Sequence, residues 1–320
     1  MESIMLYFLF AVGLVLIIKG GDWFVDAASF FARVTGIPQF VIGATIVSVA
    51  TTLPELLVSA LASSRGEVDL AIGNSVGSVV ANQGLILAIV IICLSGQSGQ
   101  KNLGFRGLLM MGCAAVLLLF SFNGKLAIPG VLFLVAFLVL FLWDNLRTAR
   151  RAVAPTEVVG KSKPEKKEVL FQGAKFLVGA AGIAVGARLL VDNGVAIAEK
   201  WGIPSALIGV TLVAIGTSLP ELVTAITAIA KKEAGLSVGN IIGANILDMT
   251  MILPVCTLIS GKELTVSSQA LNLDLPFCLA ISAITVIPVL VFGSFRRWQG
   301  WLLLATYAGY LTLACVFAIG

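Results

Sequence analysis

Three carboxylates, Glu55, Glu221 and Asp248, lie inside otherwise apolar stretches of this chain. A carboxylate at the centre of a bilayer costs about 2.5–3.5 kcal/mol on insertion scales, so each needs a partner, a proton or a bound cation. No Lys or Arg falls at that depth, which leaves a mobile cation as the readiest compensation and protonation as its rival. A neutral structural carboxylic acid could account for one such residue but not for all three. Thr51-Thr52-Leu53-Pro54-Glu55 and Thr217-Ser218-Leu219-Pro220-Glu221 put hydroxyls one helical turn before each glutamate, with a proline between. Proline removes a backbone donor and clashes with the carbonyl four residues earlier, here Ala50 and Gly216, so oxygens near those positions become available as ligands. A second pair of segments runs from Gly73-Asn74-Ser75-Val76-Gly77-Ser78 to Asn82, and from Gly239-Asn240-Ile241-Ile242-Gly243-Ala244-Asn245 to Asp248. Their glycines at spacing four permit close helix approach. Carboxylates, hydroxyls, amides and carbonyls make an all-oxygen donor set, which suits hard cations such as Ca²⁺ or Na⁺. Two glutamates converging on one site favour Ca²⁺.

The residues that are missing narrow the chemistry further. Histidine is absent, which removes imidazole metal ligands, Ser/His and Cys/His catalytic pairs and any histidine proton relay. With no nucleophile/base pair, an enzyme is not expected, although paired carboxylates could in principle activate water in a membrane-embedded hydrolase. No cofactor is implied. The five cysteines (Cys93, Cys113, Cys256, Cys278 and Cys315) all fall in apolar runs, and neither a disulfide nor a cysteine metal site is expected.

The elements that position these residues follow from composition. Of 320 residues, 58% are hydrophobic and 12% charged, and the mean hydropathy is +1.04. A soluble domain averages about 45–50% apolar and about 25% charged. The solvent is therefore lipid, and the net charge of +4 reads as membrane topology rather than affinity for nucleic acid. At about 20 residues per span, the apolar runs give ten candidate helices, at 4–20, 38–63, 69–94, 105–122, 127–146, 170–190, 203–230, 235–259, 274–293 and 299–319. No cleavable signal peptide is expected, since no basic region precedes Ile4 to Ile18. The long polar stretch 147–168 reads as a mobile linker between a first five-helix unit (1–146) and a second (169–320).

The sequence also matches itself at an offset of 166 residues, the distance from Glu55 to Glu221. Gly20 falls on Gly186, Val25-Asp26 on Val191-Asp192, Gly36-Ile37-Pro38 on Gly202-Ile203-Pro204, and Gly73-Asn74 on Gly239-Asn240. Five spans is an odd number, so the second unit enters the membrane inverted. Inverted repeats are the architecture of secondary transporters that work by alternating access. Alternating the loops places 16 of the 21 Lys and Arg on one side, including the linker, and Arg65, Lys125, Arg188, Lys200 and Lys262 on the other. The positive-inside bias then puts the linker in the cytoplasm and both termini outside, in a multi-pass protein of the cell membrane.

At these motifs the sequence resembles the sodium/calcium exchangers of the cation/calcium exchanger superfamily, specifically the short prokaryotic members. The resemblance carries Gly216 to Glu221 and Gly239 to Asp248, and it covers nearly the whole chain. It implies an all-α membrane protein of ten helices in two inverted five-helix repeats, with Ca²⁺ and Na⁺ as the transported partners. It further implies that Glu55 and Glu221 bind Ca²⁺ with oxygens of Thr51 and Thr217, while Na⁺ competes for the same glutamates. One Na⁺ site would use the Ala214 carbonyl, Ser218, Glu221 and Ser78. Its mate would use the Ser48 carbonyl, Thr52, Glu55 and a serine at position 244, and Asn82 and Asp248 would line the middle of the cluster.

Two departures bear on the coupling ion. Position 244 is alanine, which offers no side-chain oxygen, and the first motif reads Ala50-Thr51-Thr52 where glycine, threonine and serine are usual. The calcium/proton branch of the superfamily carries a glutamate where this chain has Gly77 and Gly243, so its pattern argues for Na⁺ over H⁺. A K⁺-assisted exchanger and a cation channel are the remaining readings, and H⁺ is expected to compete with Ca²⁺ in any of them. Oligomeric state is not legible in the sequence. Glu168-Val169-Leu170-Phe171-Gln172-Gly173 resembles a picornaviral 3C-type protease recognition sequence, with the start of a natural helix as its rival.

Overall fold

The computed structural model describes residues 2–94, 103–153, 165–201 and 214–319. Helix α1 spans Glu2–Thr35, α2 Gln39–Ser64, α3 Val68–Leu94, α4 Leu103–Phe120 and α5 Ile128–Val153. In the second part, α6 spans Lys166–Lys200, and a single helical turn Ala214–Thr217 precedes α7, Leu219–Ala230. Helices α8 (Ala234–Ser260), α9 (Ala270–Phe292) and α10 (Arg297–Ile319) complete the described chain. Among the described residues eight helices are long and apolar enough to cross a membrane, and α4 and α7 are shorter apolar helices. The start expected for a span at Ile203 and the middle of the expected linker lie outside the described residues.

Several helices run past the ends that the sequence suggested. Helix α1 continues from residue 20 to Thr35, where Asp22 and Asp26 lie along the helix and pair with Lys231. Helix α5 continues through Arg147 to Val153, with Asp144 paired to the buried Arg106 at 2.9 Å. The segment Glu168 to Gly173 lies within α6. A short antiparallel pair, β1 (Lys125–Leu126) with β2 (Leu264–Thr265), joins the turn after α4 to the turn after α8. It is a small exception to the all-helical expectation: two residues per strand are too few to leave a periodic signal. The cysteines are free, and Cys113, Cys256 and Cys278 are buried.

Helices α3 and α8 form the centre: 72% and 83% of their apolar windows are buried, against 22% for α1 and 28% for α6. The α1/α6 pair has a core largely its own, including Ile17, Phe24 and Ala28 against Phe176, Ile183 and Ala187. Glycines set that crossing. A Cβ added at Gly20 would lie 2.8 Å from the Gly179 oxygen, and one at Gly186 would lie 2.8 Å from the Gly13 oxygen. Positions 13 and 179, like 20 and 186, are 166 residues apart. The contact is thus self-complementary and antiparallel, the form a two-fold relation imposes. A second crossing brings α8 onto α2, where Gly243 approaches the Ala44 backbone, with an added Cβ 2.7 Å from the Ala44 oxygen. Gly43 likewise faces the Leu236 carbonyl, and Gly239 the Phe40 carbonyl.

Candidate functional site

Helix α2 presents Ser48, Thr51, Thr52 and Glu55 at spacings of three and four, so they share one face, and all four are buried. From the second part of the chain, Ser218 and Glu221 are buried where the turn Ala214–Thr217 meets α7, and Thr217 is partly buried. Ala214 opens that turn. Helix α3 adds the buried Ser78 and Asn82, and α8 adds the buried Ala244 and Asp248.

The two proline motifs differ in backbone. Pro54 sits inside a continuous helix, whereas Pro220 lies in the first turn of α7, directly after a break at Ser218 (φ −88°, ψ 7°). Proline costs a helix little at its first turn, where the missing N–H has no helical acceptor, so the second motif absorbs its proline in the break. In the first motif a π segment, Gly43–Val47, lies just upstream of Ser48. The same Leu-Pro-Glu triplet is thus accommodated once within a helix and once after a break.

The structure brings the two halves of the chain together at Thr51. Its hydroxyl lies 3.2 Å from Asn240 Oδ1 and 3.3 Å from the Ser48 carbonyl, and it also hydrogen-bonds the Glu221 carboxylate. A hydroxyl has one proton, so it serves these acceptors in turn. Glu55 lies within electrostatic reach of Glu221 and Asp248, and Asp248 within reach of Glu221. Among the described residues none of the three is ion-paired. Both oxygens of Glu55, both of Asp248, Glu221 Oε2, Thr52 Oγ1, Ser78 Oγ, Ser218 Oγ and Asn82 Oδ1 are buried with no hydrogen-bond partner among the described residues.

Leaving one buried polar atom unsatisfied costs about 1–3 kcal/mol, and more when it is charged. A cluster of such oxygens therefore fits a cation that would satisfy many of them together. Among the described residues no three acidic, Cys or His side chains form a metal-holding group by themselves. A hard cation held here would take neutral oxygens beside the carboxylates. A narrow crevice reaches Thr51, lined by Pro54, Pro220, Phe24 and Ile183.

Some participants had not been singled out as ligands. Ser75 Oγ donates to the Asp248 carbonyl at 2.6 Å, tying α3 to α8. Asn74 Nδ2 donates to the Glu55 carbonyl at 3.3 Å and to Ser59 Oγ at 2.9 Å. Asn240, on which Thr51 donates, is the residue 166 positions after Asn74. The duplication quoted both asparagines, and their place in the register was the signal available. Two further π segments, Asn82–Leu87 and Asp248–Ile252, begin at positions 166 apart. Single π turns in helices often occur at functional sites.

The comparisons with known proteins agree with this geometry. The family model described as sodium/calcium exchanger protein matches residues 5–145 and 172–316. The chain is 35% identical to the uncharacterized membrane protein MJ0091 of Methanocaldococcus jannaschii, over 93% of this chain and 94% of that protein. It is 30% identical to the sodium/calcium exchanger MaX1 of Methanosarcina acetivorans, over 96% of this chain and 97% of that one. The structure of the sodium-calcium exchanger NCX_Mj soaked with Na⁺ and no Ca²⁺ superposes with a TM-score of 0.83 at 30% identity, covering 97% of this chain and 99% of that one. This multi-pass membrane chain, with buried carboxylates contributed by both halves, belongs to the sodium/calcium exchanger protein family.

Proposed function

We propose that the protein is a secondary antiporter that exchanges Ca²⁺ for Na⁺ across the cell membrane, alternately exposing one central site. The observation that carries this reading is the set of buried carboxylates from both halves, five of whose six oxygens have no hydrogen-bond partner among the described residues. Ca²⁺ is held by Glu55 and Glu221 with oxygens of Thr51 and Thr217. Na⁺ occupies one site at Ser78, Ser218, Glu221 and the Ala214 carbonyl, and another at Thr52, Glu55 and the Ser48 carbonyl. Asn82 and Asp248 line the space between. Coupling comes from exclusion: the two glutamates cannot fully coordinate both cargoes at once. A site without cations leaves like charges unpaired in a low-dielectric interior, which disfavours crossing empty.

The architecture in this reading is ten spans in two inverted five-helix repeats, linker cytoplasmic and termini outside. The self-complementary α1/α6 glycine contact and the paired π segments at Asn82 and Asp248 support it. Sodium is preferred to protons as the coupling ion because this chain has Gly77 and Gly243 where the proton-coupled branch carries a glutamate. At Gly243 an added Cβ would lie 2.7 Å from the Ala44 backbone and from Ser48 Oγ. The deciding experiment is ⁴⁵Ca²⁺ uptake into proteoliposomes under an imposed Na⁺, K⁺ or H⁺ gradient, one at a time. Uptake driven only by Na⁺ is expected. Uptake driven equally by H⁺ moves the protein to the proton-coupled branch, and uptake indifferent to every counter-ion makes it a channel.

A further inference from the structure

The duplication lets each contact of one half be compared with its mate in the other, and around α1 and α6 the mates do not match. On α1, Asp26 Oδ1 lies 2.6 Å from Lys231 Nζ, Asp22 Oδ1 lies 3.4 Å from it, and the Asp22 carbonyl accepts from it at 2.9 Å. Lys231 caps the C-terminal end of α7. Lys175 of α6 adds a 2.8 Å contact to Asp26 Oδ2. The position 166 residues before Lys231 is Arg65, which caps the end of α2, and the position 166 after Asp26 is Asp192 on α6. The mate of the Asp26–Lys231 pair would therefore be Asp192–Arg65. It is not formed: among the described residues Asp192 meets only Arg188 of its own helix, at 3.5 Å, and Arg65 is exposed with no ion pair.

The apolar contacts beside these charges show the same one-sidedness. Gly21 of α1 packs on α7, where an added Cβ would lie 2.8 Å from Val223 and 3.0 Å from Thr227. The mates of Val223 and Thr227 are Leu57 and Leu61 on α2, and they are 68% and 52% exposed. Helices α1 and α6, joined through their glycines and a largely private core, lie against the end of α7 and away from the end of α2. Two packings related by the duplication are thus open to one pair of helices, and one of them is made.

We infer that Lys231 with Asp22 and Asp26, and Arg65 with Asp192, are alternative ion latches for the α1/α6 pair, each closed in one of two transport states. The latches are unequal in charge. Lys231 meets two aspartates of α1, whereas the mate of Asp22 is Arg188, a like charge to Arg65 that also competes for Asp192. The resting protein therefore favours the state with the Lys231 latch closed, and Lys231, Asp22 and Asp26 act as positioning residues that touch no transported ion. This inference rests on the alternating-access reading above.

Cross-linking tests it in the full chain, with the five native cysteines replaced and the protein in proteoliposomes. Asp26→Cys/Lys231→Cys is expected to cross-link at rest under mild oxidant, with uptake lost and then restored by reductant. Arg65→Cys/Asp192→Cys is expected to cross-link only while Ca²⁺ and an opposing Na⁺ gradient are both present. Adding Lys231→Gln to that second pair raises its resting cross-link severalfold, and Lys231→Arg leaves it low. Failure of the second pair to cross-link in protein that still exchanges Ca²⁺, or its equal cross-linking with and without turnover, overturns the latch. Absence of counter-ion-driven uptake by the unsubstituted chain overturns the antiport reading instead, and the effect of Lys231→Gln on the resting cross-link still decides the latch.

Discussion

Helix α3 brings Ser78 and Asn82 to the centre of the molecule, and α8, 166 residues further on, brings Ala244 and Asp248. The backbones agree: both helices are mostly buried, both contain a π segment, and both segments start at that last polar residue. The side chains differ. The first half contributes one carboxylate, Glu55, among hydroxyls and an amide, while the second contributes two, Glu221 and Asp248, and loses a hydroxyl at Ala244. In α3 and α8 the backbone frame of the duplication is shared, and the side chains have diverged where a cation would be met. Negative charge is thus concentrated on the second half and neutral oxygen on the first.

The largest effect should come from the glutamate that each half is proposed to contribute. Glu55→Gln and Glu221→Gln each remove a charge from the buried cluster. Deleting one partner of a buried charge contact costs about 3–5 kcal/mol, or roughly 10²–10⁴-fold in affinity. Sodium-driven ⁴⁵Ca²⁺ uptake is expected to fall to background in both. Normal uptake by Glu55→Gln would mean that the second half binds Ca²⁺ alone, and the comparison of halves would lose its meaning.

Much of this site was readable from residue type and spacing. Glu55, Glu221 and Asp248 stood out because charge is costly in an apolar run, and the constant offset paired the glutamates. The helix ends were less legible. Asp22 and Asp26 lie beyond the first expected span, 4–20, because their partner Lys231 is far away in sequence and only the fold supplies it. The π segments were not legible at all: one extra residue in a turn hardly disturbs an apolar pattern, and no residue type is required for it. Nor did two identical Leu-Pro-Glu triplets reveal that one proline would sit within a helix and the other after a break.

Packing separates the halves next. Gly239 faces the Phe40 carbonyl so closely that a Cβ there must push α8 off α2. Gly239→Ala is expected to destabilise the protein by about 1–3 kcal/mol, the usual cost of overpacking. A lower melting temperature in detergent would register it, and an unchanged one would show that the crossing yields easily. Charge separates them more gently. Asp248→Asn gives α8 the amide that α3 already has at Asn82, so it removes the excess charge while keeping the shape. About a tenfold weaker apparent Ca²⁺ affinity, or about 1.4 kcal/mol, is expected in uptake titrations. The double exchange Asn82→Asp/Asp248→Asn should recover much of that loss if total charge matters more than which helix supplies it.

The smallest change probes the hydroxyl that the second half lacks. Ala244 is fully buried, and in the proposed Na⁺ site of Ser48, Thr52 and Glu55 it stands where the resembling exchangers carry a serine. A net hydrogen-bond-like contact contributes about 0.5–1.5 kcal/mol, which corresponds to roughly a two- to tenfold lower Na⁺ concentration at half-maximal exchange. Ala244→Ser should produce that shift while leaving Ca²⁺ affinity nearly unchanged. Ala244→Cys is the control, because its sulfur is close in size to the serine oxygen but a poor ligand for a hard cation. A shift with serine and none with cysteine assigns the effect to coordination, and equal shifts assign it to packing. No shift with either would place the first half's Na⁺ elsewhere and leave the neutral oxygens of α2 as supports for Glu55.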